Sequence, residues 1–173
     1  MFLPQKESKN YCKILGLAGL PEHYPSPCDD DMLFFIQRNQ NTNTVIYKLN
    51  LNSSEQLDLN NPVEVYWRLY DSNREKTPLN AIQRELAYGI DYDIINKDTI
   101  EMNVVSYPSF KIYISKNDEG EYEPIAKIND MWSTLSNVYV YAEDNGAFPM
   151  VKYVELYGVC KSTNLPCYEK FSI

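Results

Sequence analysis

Tyrosine and arginine side chains recur on one face of several predicted strands, and together these residue types could hold a ligand. In residues 63–70 every odd position is apolar, whereas Tyr66, Arg68 and Tyr70 occupy even positions. A period of two places the two sets on opposite faces of a pleated strand. A guanidinium pairs with a carboxylate or phosphate through its planar fork, and aromatic walls with a few polar groups are typical of ligand pockets.

The same mixture of side chains recurs in three further segments. Tyr139 and Tyr141 alternate with valines in one of them. Tyr153 and Tyr157 share one side of another segment with a glutamate, and Arg38 ends an apolar segment near the N-terminus. If these strands are neighbours, their aromatic and cationic groups converge on one open face or in a lumen. The predicted ligand-binding residues are Arg38, Tyr66, Arg68, Tyr139, Tyr141 and Tyr153.

Two other interpretations of this polar-aromatic pattern stay open. Tyrosine is common in strands, and a tyrosine-rich outer face with Glu–Arg pairs across strands needs no ligand. Tyrosine and arginine are also enriched at the energetic centres of protein interfaces. We therefore predict a noncatalytic binding module for a small anionic or amphipathic ligand, with a protein-interaction domain as the alternative. A closed cavity would favour the first function, and a flat, exposed tyrosine patch would favour the second.

Catalytic chemistry has few candidate residues in this chain. A nucleophilic cysteine needs a base, and the only histidine, His23, precedes Cys28 in a proline-rich segment where such a pair is usually incidental. Glu64, Glu101 and Glu155 fall within predicted strands and could supply the carboxylate pair of a hydrolase. On strand faces, however, such side chains are usually solvated or paired with lysine. No catalytic residue and no cofactor is predicted.

Metal sites are also not predicted. The stretch that begins at Asp91 resembles a calcium loop only superficially, because Asn96 replaces the glycine of its sixth position and Met102 replaces the bidentate glutamate of its twelfth. Three adjacent aspartates at residues 29–31 point in different directions and are typical of a solvated turn. A structural zinc site needs closely spaced cysteine and histidine ligands, and the chain has no C-x-x-C pair.

The net charge of −8 limits the partners of the chain. Binding to nucleic acid or to anionic membranes needs clustered lysine and arginine, which this sequence lacks. Its apolar runs are short and interrupted by charge, so no membrane-spanning helix is predicted. The remaining partner classes are a small molecule and another protein, and the sequence leaves the oligomeric state open.

Cysteine usage and the N-terminal residues bear on the cellular compartment. The four cysteines are Cys12, Cys28, Cys160 and Cys167. They are predicted to be free, buried thiols in a reducing compartment, with disulfides that tie the chain ends to the body as the alternative. The first residues lack a charged stretch followed by an apolar core, so no secretory signal is visible. These features favour a cytoplasmic protein over a secreted mature form.

One helix and many short strands would position these residues. Thr77 can cap a helix over residues 78–88. At three- and four-residue spacing, Leu79, Ile82 and Leu86 would form its buried face. The predicted strands cover residues 32–38, 44–49, 63–70, 99–105, 109–115, 122–128, 137–142, 151–159 and 168–173.

Short strands at regular spacing indicate an all-β fold, an antiparallel β-sandwich or barrel of about eight to ten strands with one short helix. Residues 1–31 would form an irregular leading segment that packs on the body through an apolar patch at residues 14–20. Residues 32–173 would form a single domain, a size at which one core suffices. The predicted core consists of Leu33, Phe35, Val45, Val63, Val65, Trp67, Leu69, Ile112, Val138, Val140, Val154 and Leu156.

Five segments of the chain, taken in order, resemble a known family. They are LFFIQR at 33–38, NTVIY at 43–47, PVEVYW at 62–67, IQRELAYG at 82–89 and VKYVELYG at 151–158. In this order they are similar to the family called domain of unknown function 4833. The resemblance implies the strand–helix–strand order and no chemistry, because the family has no assigned activity. The leading segment and residues 160–167 are departures from the family pattern.

Overall fold

The computed structural model describes residues 24–173, so the predicted apolar patch at residues 14–20, Cys12 and His23 lie outside the described residues. Within residues 24–173 the chain forms eleven strands and one short helix, which confirms the all-β class. The first strands are β1 Met32–Arg38, β2 Asn41–Leu49, β3 Val63–Leu69 and β4 Glu75–Pro78, followed by helix α1 Ala81–Leu86. The others are β5 Ile90–Asn96, β6 Thr99–Val104, β7 Ile112–Lys116, β8 Tyr122–Ile128, β9 Met131–Asn145, β10 Phe148–Cys160 and β11 Pro166–Ser172.

All eleven strands belong to one curled sheet that branches at β9. Strand β10 pairs along one edge of β9, and β11 follows β10. The other edge of β9 is shared, because residues 131–134 pair with β8 and residues 137–140 pair with β1. Two wings of four strands, β1–β4 and β5–β8, therefore extend from the same edge of one long strand.

The strand directions are those of a mixed sheet. Every pair of neighbouring strands in the described part of the chain is antiparallel except β1 and β9, which run parallel. Two strands joined by a short turn must run antiparallel, and most neighbours in this sheet are joined in that way. Strands β1 and β9 can run parallel because all the strands from β2 to β8 lie between them in sequence.

The inner faces of the two wings enclose the main core. Phe34 and Tyr47 of the first wing are buried and stack with ring centroids 4.4 Å apart. Ile100 and Ile114 of the second wing are buried in the same cluster. The hydroxyl of Tyr47 donates to the backbone carbonyl of Tyr88 at 2.7 Å, which joins the first wing to the segment that enters β5.

The predicted core residues lie in this main cluster or pack against it, with one exception. Phe35 instead packs with Ile46 and Tyr66 on the opposite, outer face of the first wing. A register shift between Met32 and Phe34 interrupts the pairing of β1 with β2, and Phe34 and Ile36 then occupy the inner face.

Helix α1 begins later than predicted. Its N-cap is Asn80, whose side chain accepts a hydrogen bond from the amide of Gln83 at 2.8 Å. The Gln83 side chain in turn accepts from the Asn80 amide at 3.0 Å, which completes a capping box. Thr77, the predicted cap, belongs to β4, where it pairs with Trp67 of β3.

The predicted buried face of the helix is wrong. Ile82 and Leu86 are 71% and 72% exposed, and only Leu79, which precedes the helix, is buried. The helix is anchored instead by Gln83, whose side-chain oxygen also accepts from the Trp67 indole at 3.1 Å. None of the helical segments within residues 24–173 has both the length and the hydropathy needed to cross a bilayer.

Candidate functional site

The outer face of the sheet carries the polar-aromatic side chains that alternate with the core residues. In β3, Val63, Val65 and Trp67 contribute to the main core. Tyr66 and Arg68 point to the outer face, where Tyr66 packs with Phe35 and Ile46. In β9 and β10, Val138, Val140, Val154 and Leu156 likewise face the core, and the tyrosines gather in a separate cluster on the other side. The predicted sorting of side chains is therefore present in all three strands.

Two groups of candidate residues lie in one row across the outer face. Thr44 of β2 and Gln37 of β1 lie between Arg68 of β3 and Tyr139 of β9, and they hydrogen-bond to each other at 3.0 Å. Because neighbouring strands are about 4.8 Å apart, three strand spacings separate Arg68 from Tyr139 by roughly 14 Å. The predicted residues on this face thus form two separate groups instead of one pocket.

The first group is an arginine cluster formed by Asp29, Tyr66 and Arg68. One carboxylate oxygen of Asp29, Oδ2, accepts from Arg68 Nη2 at 2.5 Å and Nε at 3.2 Å, and from the Tyr66 hydroxyl at 2.6 Å. Arg68 Nη1 donates to the carbonyl of Arg74 at 2.9 Å. Burial and the hydrogen bond to Asp29 raise the pKa of Tyr66. The guanidinium fork is therefore occupied by a carboxylate of the same chain, which an incoming anion would have to displace.

Arg38 lies on the other side of the sheet. Its guanidinium carbon is 4.8 Å from the centroid of the Trp67 ring, and its Nη2 donates to the side chain of Asn41 at 2.9 Å. The Nε atom of Arg38 is buried and has no hydrogen-bond partner among residues 24–173. Arg38 therefore joins neither Arg68 nor the predicted tyrosines.

The second group is the tyrosine face, which we define as the outer-facing side chains of Tyr139, Tyr141, Tyr153, Tyr157 and Tyr168. Tyr141 and Tyr153 are direct partners in the pairing of β9 with β10, and their rings stack 4.8 Å apart at an angle of 6°. The Lys170 ammonium lies 4.0 Å from the Tyr153 ring centroid. A cation thus rests on an aromatic pair at this face.

Glu155 organises the other side of the tyrosine face. Its Oε2 accepts from the hydroxyls of Tyr157 at 2.9 Å and Tyr168 at 2.6 Å. The two rings lie 5.1 Å apart. Burial and the hydrogen bond to Glu155 raise the pKa of Tyr168 to about 12. Both phenols are therefore oriented by one carboxylate.

Residues 24–25 cover part of this face. The Tyr24 ring packs edge-on against Tyr139 at 6.0 Å, and its hydroxyl donates to the carbonyl of Arg38 at 2.6 Å. Gln37 donates to the carbonyl of Pro25 at 2.9 Å. Tyr139 is consequently only 8% exposed, and burial, followed by its interactions with Tyr24, raises its pKa. Of the predicted tyrosines on this face, Tyr141 and Tyr153 stay half-buried and accessible.

Tyr168 of the tyrosine face and the neighbouring Lys170 are absent from the predicted set. Both occupy alternate positions of β11, on the same side of that strand. The pairing of β10 with β11 places Tyr168 opposite Tyr157 and Lys170 opposite Glu155. The same two-residue period that identified the other tyrosines, combined with a hairpin between residues 160 and 166, could have identified these two.

The proposed carboxylate pair does not form among its three candidates. Glu64 of β3 pairs with Lys76 at 2.8 Å, and Glu101 of β6 accepts from the Tyr113 hydroxyl at 2.7 Å. Glu155 lies on β10 among tyrosines. The three glutamates therefore belong to strands that are not neighbours in the sheet.

The cysteines differ from the prediction in one respect. Cys28 is disulfide-bonded, which contradicts the expectation of free thiols at that position. Cys160 and Cys167 are free and buried, as predicted. Within residues 24–173, no three histidine, cysteine, aspartate or glutamate side chains are grouped so that they could hold a metal ion.

Comparison with known proteins identifies a family without an activity. A family model described as Domain of unknown function (DUF4833) matches residues 34–170, which include most of β1, most of β11 and all the strands between them. No curated protein and no solved structure matches the chain. The matched range contains every residue of the tyrosine face.

Proposed function

Because the chain belongs to the family Domain of unknown function (DUF4833), whose description carries no activity, we propose a function from the geometry of the site. We propose that the chain is a noncatalytic binding module whose tyrosine face receives a protein partner. The observation that carries this proposal is the stacked pair of Tyr141 and Tyr153, which shares one face of three adjacent strands with Tyr157 and Tyr168.

The tyrosine face has the properties of a protein-binding surface. Its rings stand on neighbouring strands of a continuous sheet, and Tyr168 is 44% exposed. Ring stacking and the hydrogen bonds to Glu155 hold the side chains in place, so little conformational entropy is lost when a partner binds. Rigid tyrosines of this kind are enriched at the residues that contribute most to interface affinity.

Charge favours a basic partner. The chain has a net charge of −8, and the tyrosine face contains the carboxylate of Glu155. Lys170 over Tyr153 is an example of the cation contact that these rings accept, and the exposed ring of Tyr168 beside Glu155 is where a lysine or arginine of a partner would make a contact of that kind. We therefore assign to this face a polypeptide segment that presents lysine or arginine side chains.

Two-dimensional NMR of the labelled chain can test this proposal. The probes are short synthetic peptides rich in lysine and arginine, and the matched peptides with glutamate at those positions serve as ligand controls. Basic peptides should shift the resonances of Tyr141, Tyr153 and Tyr168. Tyr153→Ala should weaken binding by roughly 10-fold or more, the effect of losing an interface hot spot.

The matched control variant is Trp132→Ala. Trp132 is 49% exposed and also has a lysine over its ring, but it lies at the other end of β9 beside Tyr113. This variant should bind the basic peptides as the original chain does. Equal losses in both variants, or resonance shifts confined to other surfaces, would refute the assignment of the tyrosine face.

A small anionic ligand is the second candidate, and an unsatisfied hydrogen-bond donor of Arg38 favours it. The buried Nε of that residue has no partner within residues 24–173, and a bound carboxylate or phosphate could accept from the guanidinium. Thermal unfolding in the presence of phosphate and short carboxylates tests this candidate. Stabilisation that disappears in Arg38→Met but persists in Arg68→Met would support it, and no stabilisation of the original chain would exclude these anions.

A further inference from the structure

Three sulfur-containing side chains, those of Met131, Cys160 and Cys167, lie at one end of the β9–β10–β11 unit. Cys160 Sγ lies 3.9 Å from Met131 Sδ. Cys167 pairs with Gly158, so Cys160, two residues further along β10, is its diagonal neighbour on the same face of the hairpin. Cys167 Sγ is also 3.1 Å from Oγ of Ser133, the residue directly opposite Cys160 on β9.

We propose that Cys160, Cys167 and Met131 bind one Cu(I) ion in a three-sulfur site. Thiolate and thioether sulfurs are soft ligands and select soft cations such as Cu(I). Metal–sulfur bonds of about 2.3 Å at a trigonal centre place two ligand sulfurs roughly 4 Å apart. The separation of 3.9 Å between the sulfurs of Cys160 and Met131 fits that geometry.

The donor set distinguishes Cu(I) from zinc. Structural zinc is bound almost always by four cysteine, histidine or carboxylate ligands in a tetrahedron. Within residues 24–173 no three such side chains come together, and the third donor of this cluster is a thioether. A low-coordinate soft ion is the metal that two thiolates and one thioether suit best.

Burial gives the cluster a closed interior and one accessible side. Cys160 and Cys167 belong to the main core and are 2% and 9% exposed, whereas Met131 is 39% exposed. Both thiols are free, although Cys28 of the same chain is disulfide-bonded. The metal ion would therefore enter past the flexible side chain of Met131 and reach two thiols shielded from bulk water.

Metal binding at this cluster releases protons, because the form of cysteine that ligates a metal ion is the thiolate. Starting from two protonated thiols, one Cu(I) ion displaces two protons to solvent and forms a complex of net charge −1, without any change in oxidation state.

Competition with the chromogenic Cu(I) chelator bicinchoninate, under anaerobic conditions, can test this proposal on the whole chain. Cu(I) is added as its acetonitrile complex, and we expect one equivalent to be bound. Cys160→Ser and Cys167→Ser should each weaken binding by more than the roughly 100-fold that losing an outer-shell partner can cause. Met131→Leu should weaken binding by roughly 10-fold, because only the neutral thioether is lost.

The matched control is Met150→Leu, since Met150 is 44% exposed and pairs with Glu143 near the opposite end of β9. Its Cu(I) affinity should equal that of the original chain. X-ray absorption at the copper edge gives a second readout that does not depend on affinity or on folding of the serine variants. It should show three sulfur neighbours in the original chain and two in Met131→Leu. Nitrogen or oxygen neighbours, an unchanged affinity in Met131→Leu, or complete loss of copper to the chelator would overturn the proposal.

Discussion

At the scale of single residues, the existing partners of each polar group decide what the site can bind. Arg68 has the side chain that suits an anion, but Asp29 and the carbonyl of Arg74 accept its hydrogen bonds. Tyr153 and Tyr168, in contrast, present accessible ring surface that residues of the same chain hold in place. This difference shifts the candidate ligand from an anion toward a basic polypeptide.

The bonds made by Asp29 also predict its contribution to stability. Asp29→Asn removes the negative charge that accepts hydrogen bonds from Arg68 and Tyr66. In the ion pair, the side chains of Arg68 and Asp29 are only 23% and 11% exposed. Since hydrogen bonds to charged groups contribute about 1.5–3 kcal/mol, the free energy of unfolding should fall by about that amount. Urea denaturation provides the measurement.

Glu143→Gln is the control for Asp29→Asn. The ion pair of Glu143 with Lys152 spans 3.8 Å and both side chains are well exposed, so its loss should cost less than about 1 kcal/mol. If both variants lose the same stability, the Asp29 cluster does not have the structural role inferred from its geometry.

The raised pKa of Tyr168 predicts a dependence of stability on alkaline pH. Burial and the hydrogen bond to Glu155 raise this pKa from 10.0 to about 12, so the folded state retains the phenolic proton more tightly than the unfolded state. The resulting stabilisation is complete below pH 10 and is lost as pH rises through 12. Tyr168→Phe should therefore lose less stability than the original chain between pH 10 and 12, as measured by urea denaturation.

An absorbance titration of tyrosinate can contradict that prediction directly. The difference between the titration curves of the original chain and Tyr168→Phe isolates the ionisation of one phenol. A midpoint near 10 in that difference curve would show that Glu155 and burial do not hold the proton of Tyr168.

At the scale of elements, the capping box and the pairing of β4 with β3 decide where α1 begins, although the spacing of the apolar residues predicts an earlier start. Leu79, Ile82 and Leu86 have the spacing of a buried helical face, but Ile82 and Leu86 are exposed. Pairing of Thr77 with Trp67 extends β4 to Pro78, and the capping box of Asn80 and Gln83 then starts the helix. A segment this short is positioned by its caps, since helices of a few residues have little intrinsic stability.

Strand β10 depends on a glycine where its register with β9 shifts. A Cβ atom on Gly158 would lie 2.4 Å from the carbonyl oxygen of Thr134 and 2.7 Å from Ile128 Cδ1. Gly158→Ala must therefore displace backbone and core together, and we expect it to cost about 3 kcal/mol or more in urea denaturation.

Gly120→Ala is the comparison for that substitution. A Cβ atom there meets nothing within 4 Å, and the positive φ of 77° is the only source of strain, about 1 kcal/mol. Equal costs for the two substitutions would mean that β9 and β10 can separate locally without disturbing the core.

At the scale of the whole molecule, one strand supports both wings. Residues 137–140 of β9 are paired on both edges, with β1 on one side and β10 on the other. Within residues 24–173 the branched sheet has three edge strands, β4, β5 and β11, each with a single neighbour. Opening of either wing from its end leaves the centre of β9 intact.

Native-state hydrogen exchange should reproduce this hierarchy. Backbone amides of residues 137–140 should exchange most slowly, near the rate set by global unfolding, and those of the edge strands β4, β5 and β11 should exchange fastest among the strands. Uniform protection across the sheet would indicate that the wings do not open independently.

The two-residue period was sufficient to predict much of the architecture. It assigned Trp67 to the core and Tyr66 and Arg68 to the other face, and the same sorting in β9 and β10 is confirmed. For Arg38 the period gave the wrong face, because residues 33–36 are apolar at every position and the prediction took Leu33 and Phe35 as the core side of the strand. In the structure the register shift between Met32 and Phe34 places Phe34 and Ile36 in the core, and Arg38 lies over Trp67 on that same side.

Local alternation thus defined the strands and the side chains that share a face, because a pleated backbone imposes that geometry wherever a strand forms. It did not define which strands are neighbours. The parallel contact of β1 with β9, the bond of Asp29 to Arg68 and the approach of Met131 to Cys160 all join residues that are distant in sequence. Such contacts form when the whole chain buries its apolar surface in one core, and the local preferences of individual segments do not determine them.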